Sequence, residues 1–430
     1  MKKIGIIGAG YVGLVTGTCF AHLGHQVICV DCDAGKISVL KKGKIPIYEP
    51  GLAEMVNANV REKRLSFSQQ VSAAVRYAEI LFVCVGTPPK ERGEADLTAV
   101  ENVSREIARE MTSYRLIVDK STVPVQTGEW VCRTIESSRR RRVAFDVASN
   151  PEFLREGSAI QDFLMPDRIV IGVESKRAEK ILTELYHPLK APILVTDIKS
   201  AELIKHASNS FLASKISFIN FISQICERVG ADVQKVAEGM GLDPRIGKNF
   251  LKAGIGFGGF CFPKDLSAFI RISEKLGLDP SLLREALKIN EAQKKFFVEK
   301  IMKHLWNLKG KTLGILGLSF KPDTDDMRFA PSIDILNALL KEGAQLRLYD
   351  PEAQRHAKKI FPSATFVKNP YEAARGADAL VILTEWAEFL EIDFERMKKC
   401  LRHPLVFDGR NLYDRERMKK MGFEYYGVGR

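Results

Sequence analysis

Apolar residues at the start of the chain fall into two short runs separated by a glycine turn and a longer, mostly apolar stretch. KIGII at 3–7 and QVICVD at 26–31 read as strands, and the sequence between them reads as a helix ending near Leu23. Further buried-strand runs follow at 80–85, 115–120 and 143–149, ending in the loops VGTPP (85–89), STVPV (121–125) and NPEFLREG (150–157). Ligands of open parallel sheets lie beyond the carboxyl ends of the strands. Thr87, Thr122 and Glu152 fall there, although a single threonine at such a place is more often a helix cap.

The period turns helical between about 200 and 229, with Leu203, Ala207, Phe211, Ile216, Ile219 and Ile222 among the apolar positions. Lys205 and Asn209, four apart, share one face of that helix, and taken alone they read as exposed. A second helix is expected from Pro280 to about Trp306, roughly 25 residues or some 38 Å at the standard rise, as a spine between two halves.

The halves echo each other: SAAVRYAEILFVCVGTP (72–88) pairs with YEAARGADALVILTEWA (371–387), and HLGHQVICVD (22–31) with KEGAQLRLYD (341–350). We therefore expect an α/β chain with two doubly wound Rossmann-like domains, at 1–198 and 308–430, joined by a central helical segment at 199–307. The second half opens with KTLGILGLSFKPDTDD and has no G-x-G-x-x-G, so it should hold phosphates with side chains. Lys321, Arg328 and Arg410, each after a strand, suggest an anion-binding cleft.

The chain has 430 residues, enough for two to four domains, and 45% of them are hydrophobic. No targeting pattern and no membrane-length apolar run appears, so the cytoplasm is the expected compartment and no membrane partner is expected. Eight scattered cysteines fit a reducing environment. Cys29 and Cys32 form a C-x-x-C without a second pair, so no metal site is expected. The net charge is +12, and Arg139 to Arg142 form a run without interleaved aromatics. That run reads as a solvated loop, and the basic balance suits an anionic small substrate better than a nucleic acid.

Two motifs carry chemistry. Gly8, Gly10 and Gly13 form G-x-G-x-x-G directly after a strand, and Asp31 ends the next strand, where a carboxylate holds a ribose hydroxyl and repels a 2′-phosphate. NAD is the expected cofactor. The second motif is FLKAGIGFGGFCFPKD at 250–265, in which Gly254, Gly256, Gly258 and Gly259 permit close approach to a ligand. Cys261 follows, with Pro263 suited to a first helical turn and Lys264 and Asp265 behind it. A thiol at a helix N-terminus beside an ammonium is expected to have its pKa lowered toward the reactive thiolate.

Taken in order, GAGYVG, YEPGL (48–52), VGTP, STVP, NPEFLREG, GFGGFCFPKD, GLSFKPDTDD and DGR resemble the UDP-glucose 6-dehydrogenase branch of the UDP-glucose/GDP-mannose dehydrogenases over nearly the whole chain. The resemblance implies that Gly8, Gly10, Tyr11, Val12, Gly13, Asp31, Lys36, Thr87 and Thr122 hold NAD, with Glu156, Lys264 and Arg328 close by. It implies a UDP-sugar held by Glu152, Phe153, Leu154, Arg155, Glu156, Lys205, Asn209, Phe250, Leu251, Lys252, Gly254, Gly256, Gly258, Phe320, Lys321 and Arg410. It also implies a homodimer or higher homo-oligomer in which Arg245 reaches the neighbouring subunit's substrate. One departure is Phe260, where the family usually has Ser, which puts the local shape of the sugar pocket in question.

The chemistry implied is oxidation of UDP-glucose to UDP-glucuronate by two NAD, through a thiohemiacetal and a thioester on Cys261. Lys205, or Asp265 through water, takes the first proton; Lys205 and Asn209 stabilise negative oxygen; Glu152 or Asp265 activates the hydrolytic water; Thr122 lies at the same centre. The competing readings are the same chemistry on GDP-mannose or a UDP-N-acetylhexosamine, and a nucleotide-binding regulator without turnover.

Overall fold

Strands covered by helices on both faces have no polar side to present, so their sequences run apolar from end to end. The computed structural model describes residues 1–90 and 93–430, and five of its strands are buried throughout. The chain divides into two units, Met1–Ser208 with Ser267–Gly277, and Asn209–Leu266 with Leu278–Arg430.

The first unit holds an eight-stranded sheet built from β1 (Lys3–Ile7), β2 (Gln26–Val30), β3 (Leu65–Ser68), β4 (Ile80–Val83), β5 (Arg115–Asp119), β6 (Phe145–Ser149), β7 (Ile169–Val173) and β8 (Ile193–Thr196). Its order is β3-β2-β1-β4-β5-β6-β7-β8, parallel except where β6 meets β7. The first six strands have the dinucleotide-binding order. The second unit holds β9 (Thr312–Leu316), β10 (Gln345–Tyr349), β11 (Thr365–Phe366), β12 (Ala379–Ile382), β13 (Leu405–Asp408) and β14 (Glu424–Tyr426). Their order, β11-β10-β9-β12-β13-β14, repeats the first six rank for rank.

The repeat extends to single hydrogen bonds. Gly8 N–H donates to Val30 O at 2.8 Å and Gly317 N–H to Tyr349 O at 2.9 Å; Cys84 N–H donates to Ile7 O at 2.7 Å and Leu383 N–H to Leu316 O at 2.8 Å. The equivalent acids differ. Asp31 lies at the rim, whereas Asp350 is fully buried and accepts from Leu318 N (2.6 Å), Ser319 N (3.1 Å), Trp386 Nε1 (3.1 Å), Glu352 N (2.9 Å) and Ala353 N (2.7 Å). A carboxylate so fully committed has nothing left for a ribose.

The long helix is Ile198–Val229 and the spine helix is Ser281–Leu305, ended by Trp306 at a positive φ of 59°. Strands expected at 80–85 and 115–120 stop at Val83 and Asp119, because the residues beyond them turn out of the ladder into loops. Arg140, Arg141 and Arg142 sit exposed in the loop between the Thr127–Ser138 helix and β6. Among the described residues no helix is long and apolar enough to cross a membrane, and no group of three or more His, Cys, Asp or Glu is placed to hold a metal ion.

Candidate active site

The three glycines of the first turn do three different things. Gly8 has φ +100°, which favours glycine, and at Gly13 a Cβ would stand 1.8 Å from Gly8 O, so the helix packs on the turn only without one. At Gly10 a Cβ would meet nothing within 4 Å. The missing side chain there leaves an open approach to the N-terminus of the Tyr11–His22 helix, which fits a pyrophosphate. Asp31 holds this rim: Oδ2 accepts from Ala9 N (2.9 Å) and pairs with Lys36 Nζ (2.7 Å), and Oδ1 accepts from Asp33 N (3.0 Å). These residues suit a dinucleotide with a free 2′-hydroxyl.

Thr87 is buried and donates to Thr122 O at 2.9 Å, joining the loops after β4 and β5. The Tyr11 hydroxyl donates to Glu49 and accepts from Gly157 N (3.1 Å), while Glu49 also accepts from Gly157 N (2.6 Å) and Ala159 N (2.7 Å). Glu49, in the YEPGL segment, thus anchors the end of the NPEFLREG loop, a role that its exposed-looking surroundings in the sequence did not announce.

Within that loop Glu152 is 6% exposed and pairs at 3.1 Å with Lys205, itself 4% exposed. The other oxygen of Glu152 accepts from Leu154 N at 2.6 Å. Phe153 carries the Arg168 guanidinium over its ring at 3.7 Å. Arg155 pairs with Asp162 at 2.5 Å. Glu202, one turn before Lys205, accepts from Gln126 N (2.7 Å) and Gly128 N (2.8 Å), tying the long helix to the loop that carries Thr122. Burial pushes the Glu202 carboxyl up to about 7.

In the second unit Cys261 is the first residue of the Cys261–Lys275 helix and is exposed, in contrast to Cys19 and Cys84, whose burial pushes their thiols up to about 12. Asp265 lies one turn on, on the same helix face, and is 1% exposed. Its Oδ2 accepts from Asn209 Nδ2 at 2.6 Å. Its Oδ1 lies 2.7 Å from Lys264 Nζ, off the line of a hydrogen bond, and has no hydrogen-bond donor among the described residues. That oxygen can accept a proton.

The glycine loop before Cys261 is held by amides. Asn290 Oδ1 accepts from Phe257 N (2.7 Å) and its Nδ2 donates to Phe257 O (3.0 Å); Gln293 donates to Gly254 O (2.9 Å), and Gly254 N donates to Asn220 Oδ1 (2.9 Å). Gly256 has φ +105° and Phe250 φ 65°, so the turn is tightly determined. Asn220, Asn290 and Gln293 were missed by the sequence reading. The signal available was a polar residue on each helix's apolar stripe.

Arg410 spends its guanidinium on carbonyls: Nε donates to Leu383 O (2.8 Å), Nη1 to Gly256 O (3.2 Å) and Nη2 to Phe320 O (3.0 Å). It clamps the glycine loop to the strand ends. Lys321 stands 5.8 Å from the Phe320 ring centroid. Arg328 pairs with Asp326 at 2.7 Å and lies 4.4 Å over the ring of Phe260, which Lys264 also approaches at 5.5 Å. The departure at position 260 therefore supplies an aromatic face to two cations. Lys252 and Arg245 are exposed, the latter paired with Asp243 at 2.6 Å.

Models of the UDP-glucose/GDP-mannose dehydrogenase family match in three parts: the NAD binding domain over 2–190, the central domain over 199–292 and the UDP binding domain over 314–415. The chain belongs to the UDP-glucose/GDP-mannose dehydrogenase family. As a family member it is an NAD-dependent oxidoreductase. It is 48% identical over 431 residues to the UDP-glucose 6-dehydrogenase TuaD of Bacillus subtilis, covering 100% of this chain and 94% of that one. A UDP-glucose dehydrogenase structure from Pyrobaculum islandicum superimposes with a TM-score of 0.93 at 39% identity, covering 100% and 98%. A UDP-D-ManNAc dehydrogenase from Pyrococcus horikoshii gives 0.87 at 27%, covering 100% and 99%. Within the dehydrogenase family, then, the identities fall from the UDP-glucose relatives to the N-acetylated one.

Proposed function

We propose that this family member oxidises UDP-glucose to UDP-glucuronate with two NAD and one water. The observation that carries the reading is an exposed Cys261 opening a helix with Asp265 on the same face and Asn209 holding one of its oxygens. The higher identity to the UDP-glucose relatives supports the choice of sugar.

Bound NAD supplies the hydride acceptor for each of the two oxidations. Gly8, Gly10, Tyr11, Val12, Gly13, Asp31, Lys36, Thr87 and Thr122 would hold it, with Glu156, Lys264 and Arg328 nearby. Because Lys205 is ion-paired with Glu152, we assign it and Asn209 as donors to negative oxygen, and assign the first proton to Asp265 through water. Loss of that proton and of a C6 hydride gives the aldehyde. The deprotonated sulfur of Cys261 then bonds to C6, and Lys205 and Asn209 meet the charge on the oxygen. Loss of the second hydride from C6 restores the carbonyl as a thioester. Glu152 takes a proton from water, which attacks C6; the C–S bond breaks, releasing the acid and the thiolate.

In the same reading, 1–198 holds NAD, 199–307 carries the nucleophile, and 308–430 holds the nucleotide sugar through Phe320, Lys321 and Arg410. Phe250, Leu251, Lys252, Gly254, Gly256 and Gly258 would line the sugar nucleotide with Phe153, Leu154 and Arg155. The exposed stripe Phe211, Phe218, Phe221 and Ile225 on the long helix suits pairing with a second copy, which would bring Arg245 to its neighbour. Light scattering of Phe218→Glu tests that pairing, with a lower mass expected.

The deciding measurement is the NADH formed per UDP-glucose consumed. Two is expected from the native chain. Cys261→Ser should give no net acid and accumulate an ester on the serine; full turnover in that variant would refute covalent catalysis.

A further inference from the structure

We propose that Glu202 is a positioning residue for the cofactor: its carboxylate pins a left-handed turn at Gln126, and through that turn the loop that presents Thr122 to NAD. The inference rests on the assignment of Thr122 to NAD above.

Gln126 has φ 80°, a conformation that L side chains rarely adopt and that glycine takes freely. It is the third residue of a turn closed by Thr127 N–H to Pro124 O at 3.2 Å, the place that type II turns ordinarily give to glycine. A strained residue persists only where its surroundings over-determine it, and such residues cluster at functional sites.

Here the surroundings are the two oxygens of one buried carboxylate. Glu202 Oε2 accepts from Gln126 N at 2.7 Å and Oε1 from Gly128 N at 2.8 Å, bracketing the start of the Thr127–Ser138 helix, where the backbone favours an anion. Gly128 lets the long helix come this close: a Cβ there would stand 2.5 Å from Ile198 Cγ2 and 3.5 Å from Glu202 Oε1.

The turn ends a loop that is gripped along its length. Ser121 Oγ donates to Val85 O at 2.8 Å, Thr87 Oγ1 to Thr122 O at 2.9 Å, His206 Nε2 to Val123 O at 2.8 Å and Thr127 Oγ1 to Pro124 O at 2.6 Å. Glu202 and His206 stand one turn apart on the long helix, with Lys205 on the same face. One helix thus sets the loop of Thr122 and the ammonium of Lys205 against each other. Without the carboxylate, Gln126 can relax to a negative φ. The loop must then be rebuilt whenever the dinucleotide binds, and affinity falls with the fraction of chains in the competent state.

The test is equilibrium titration with NAD, with Tm and UDP-glucose binding measured beside it, at pH 8, where Glu202, raised by burial to about 7, is mostly ionised. Thr122→Ala must weaken NAD binding; if it does not, the loop does not hold NAD, and this inference fails with that assignment. Glu202→Gln keeps the shape but turns an amide N–H₂ toward one of the two backbone donors. It should bind NAD about tenfold more weakly, with UDP-glucose binding and Tm near native. The double variant Glu202→Gln with Gln126→Gly should recover most of that loss, because glycine holds the turn unaided. If Glu202→Gln does not fold, Glu202→Asp withdraws the carboxylate by one methylene and reads the same loss and rescue. Native NAD affinity in Glu202→Gln beside an impaired Thr122→Ala, a loss that Gln126→Gly does not recover, or an equal loss of UDP-glucose binding would make Glu202 an anchor of the helix alone and overturn the inference.

Discussion

Asn209 Nδ2 donates to Asp265 Oδ2 at 2.6 Å, fixing one oxygen of the carboxylate and leaving the other without a hydrogen-bond donor among the described residues. Asn209 orients Asp265 as a neutral amide, and the ammonium of Lys264 lies 2.7 Å from its other oxygen. Asp265→Asn keeps the shape and removes the proton acceptor. It should lower kcat by about 10²- to 10⁴-fold with KM for UDP-glucose little changed. Steady-state kinetics check this, and a pure KM effect would reassign Asp265 to binding.

Lys205 and Glu152 form a buried pair, so removing either leaves a stranded charge. Lys205→Ala should cost roughly 3–5 kcal/mol of stability, besides about 3–4 kcal/mol of transition-state stabilisation. The double variant Lys205→Ala with Glu152→Gln should recover much of the stability and none of the activity. Denaturant unfolding alongside NADH assays separates the two effects.

Asp31 and Asp350 occupy equivalent places in the two sheets and predict opposite phenotypes. Asp31→Ala should weaken NAD binding and relax rejection of NADP while costing less stability than Asp350→Ala, since it strands fewer backbone donors. Asp350→Ala should leave cofactor preference alone and cost several kcal/mol, because it strands buried backbone N–H donors. Titration of each variant with NAD and NADP, and its melting curve, distinguish them.

Glu202 gives a pH signature. Its carboxyl is raised by burial to about 7, so between the ordinary glutamate value and about 7 the folded chain binds more protons than the unfolded one. Its contribution to stability is therefore greatest at low pH and falls as pH rises toward 7, by an amount on the order of 3 kcal/mol. Glu202→Gln should flatten that fall. Melting temperatures of native and variant chains from pH 5 to 8 give the comparison.

Both sheets were legible because buried parallel strands are apolar runs, and the echo of 22–31 in 341–350 marked the second sheet without a glycine fingerprint. The Cys261 helix start was legible from its glycines and Pro263. Burial of Lys205 and Asn209 was not, since a lysine and an asparagine on a helix look solvated until Glu152 and Asp265 arrive from distant segments. Glu202 was hidden for the same reason. Arg410 was visible as a cation after a strand, but its bonds to three carbonyls depend on loops far off in sequence.

The side-chain amides that hold the glycine loop before the reactive sulfur are those of Asn220, Asn290 and Gln293, none of which gains or loses a proton in the physiological range. Salt and acidity should thus tune how tightly the anionic reactants are captured while leaving the thiol's aim untouched. An enzyme built this way would lose occupancy, rather than alignment, when its surroundings change.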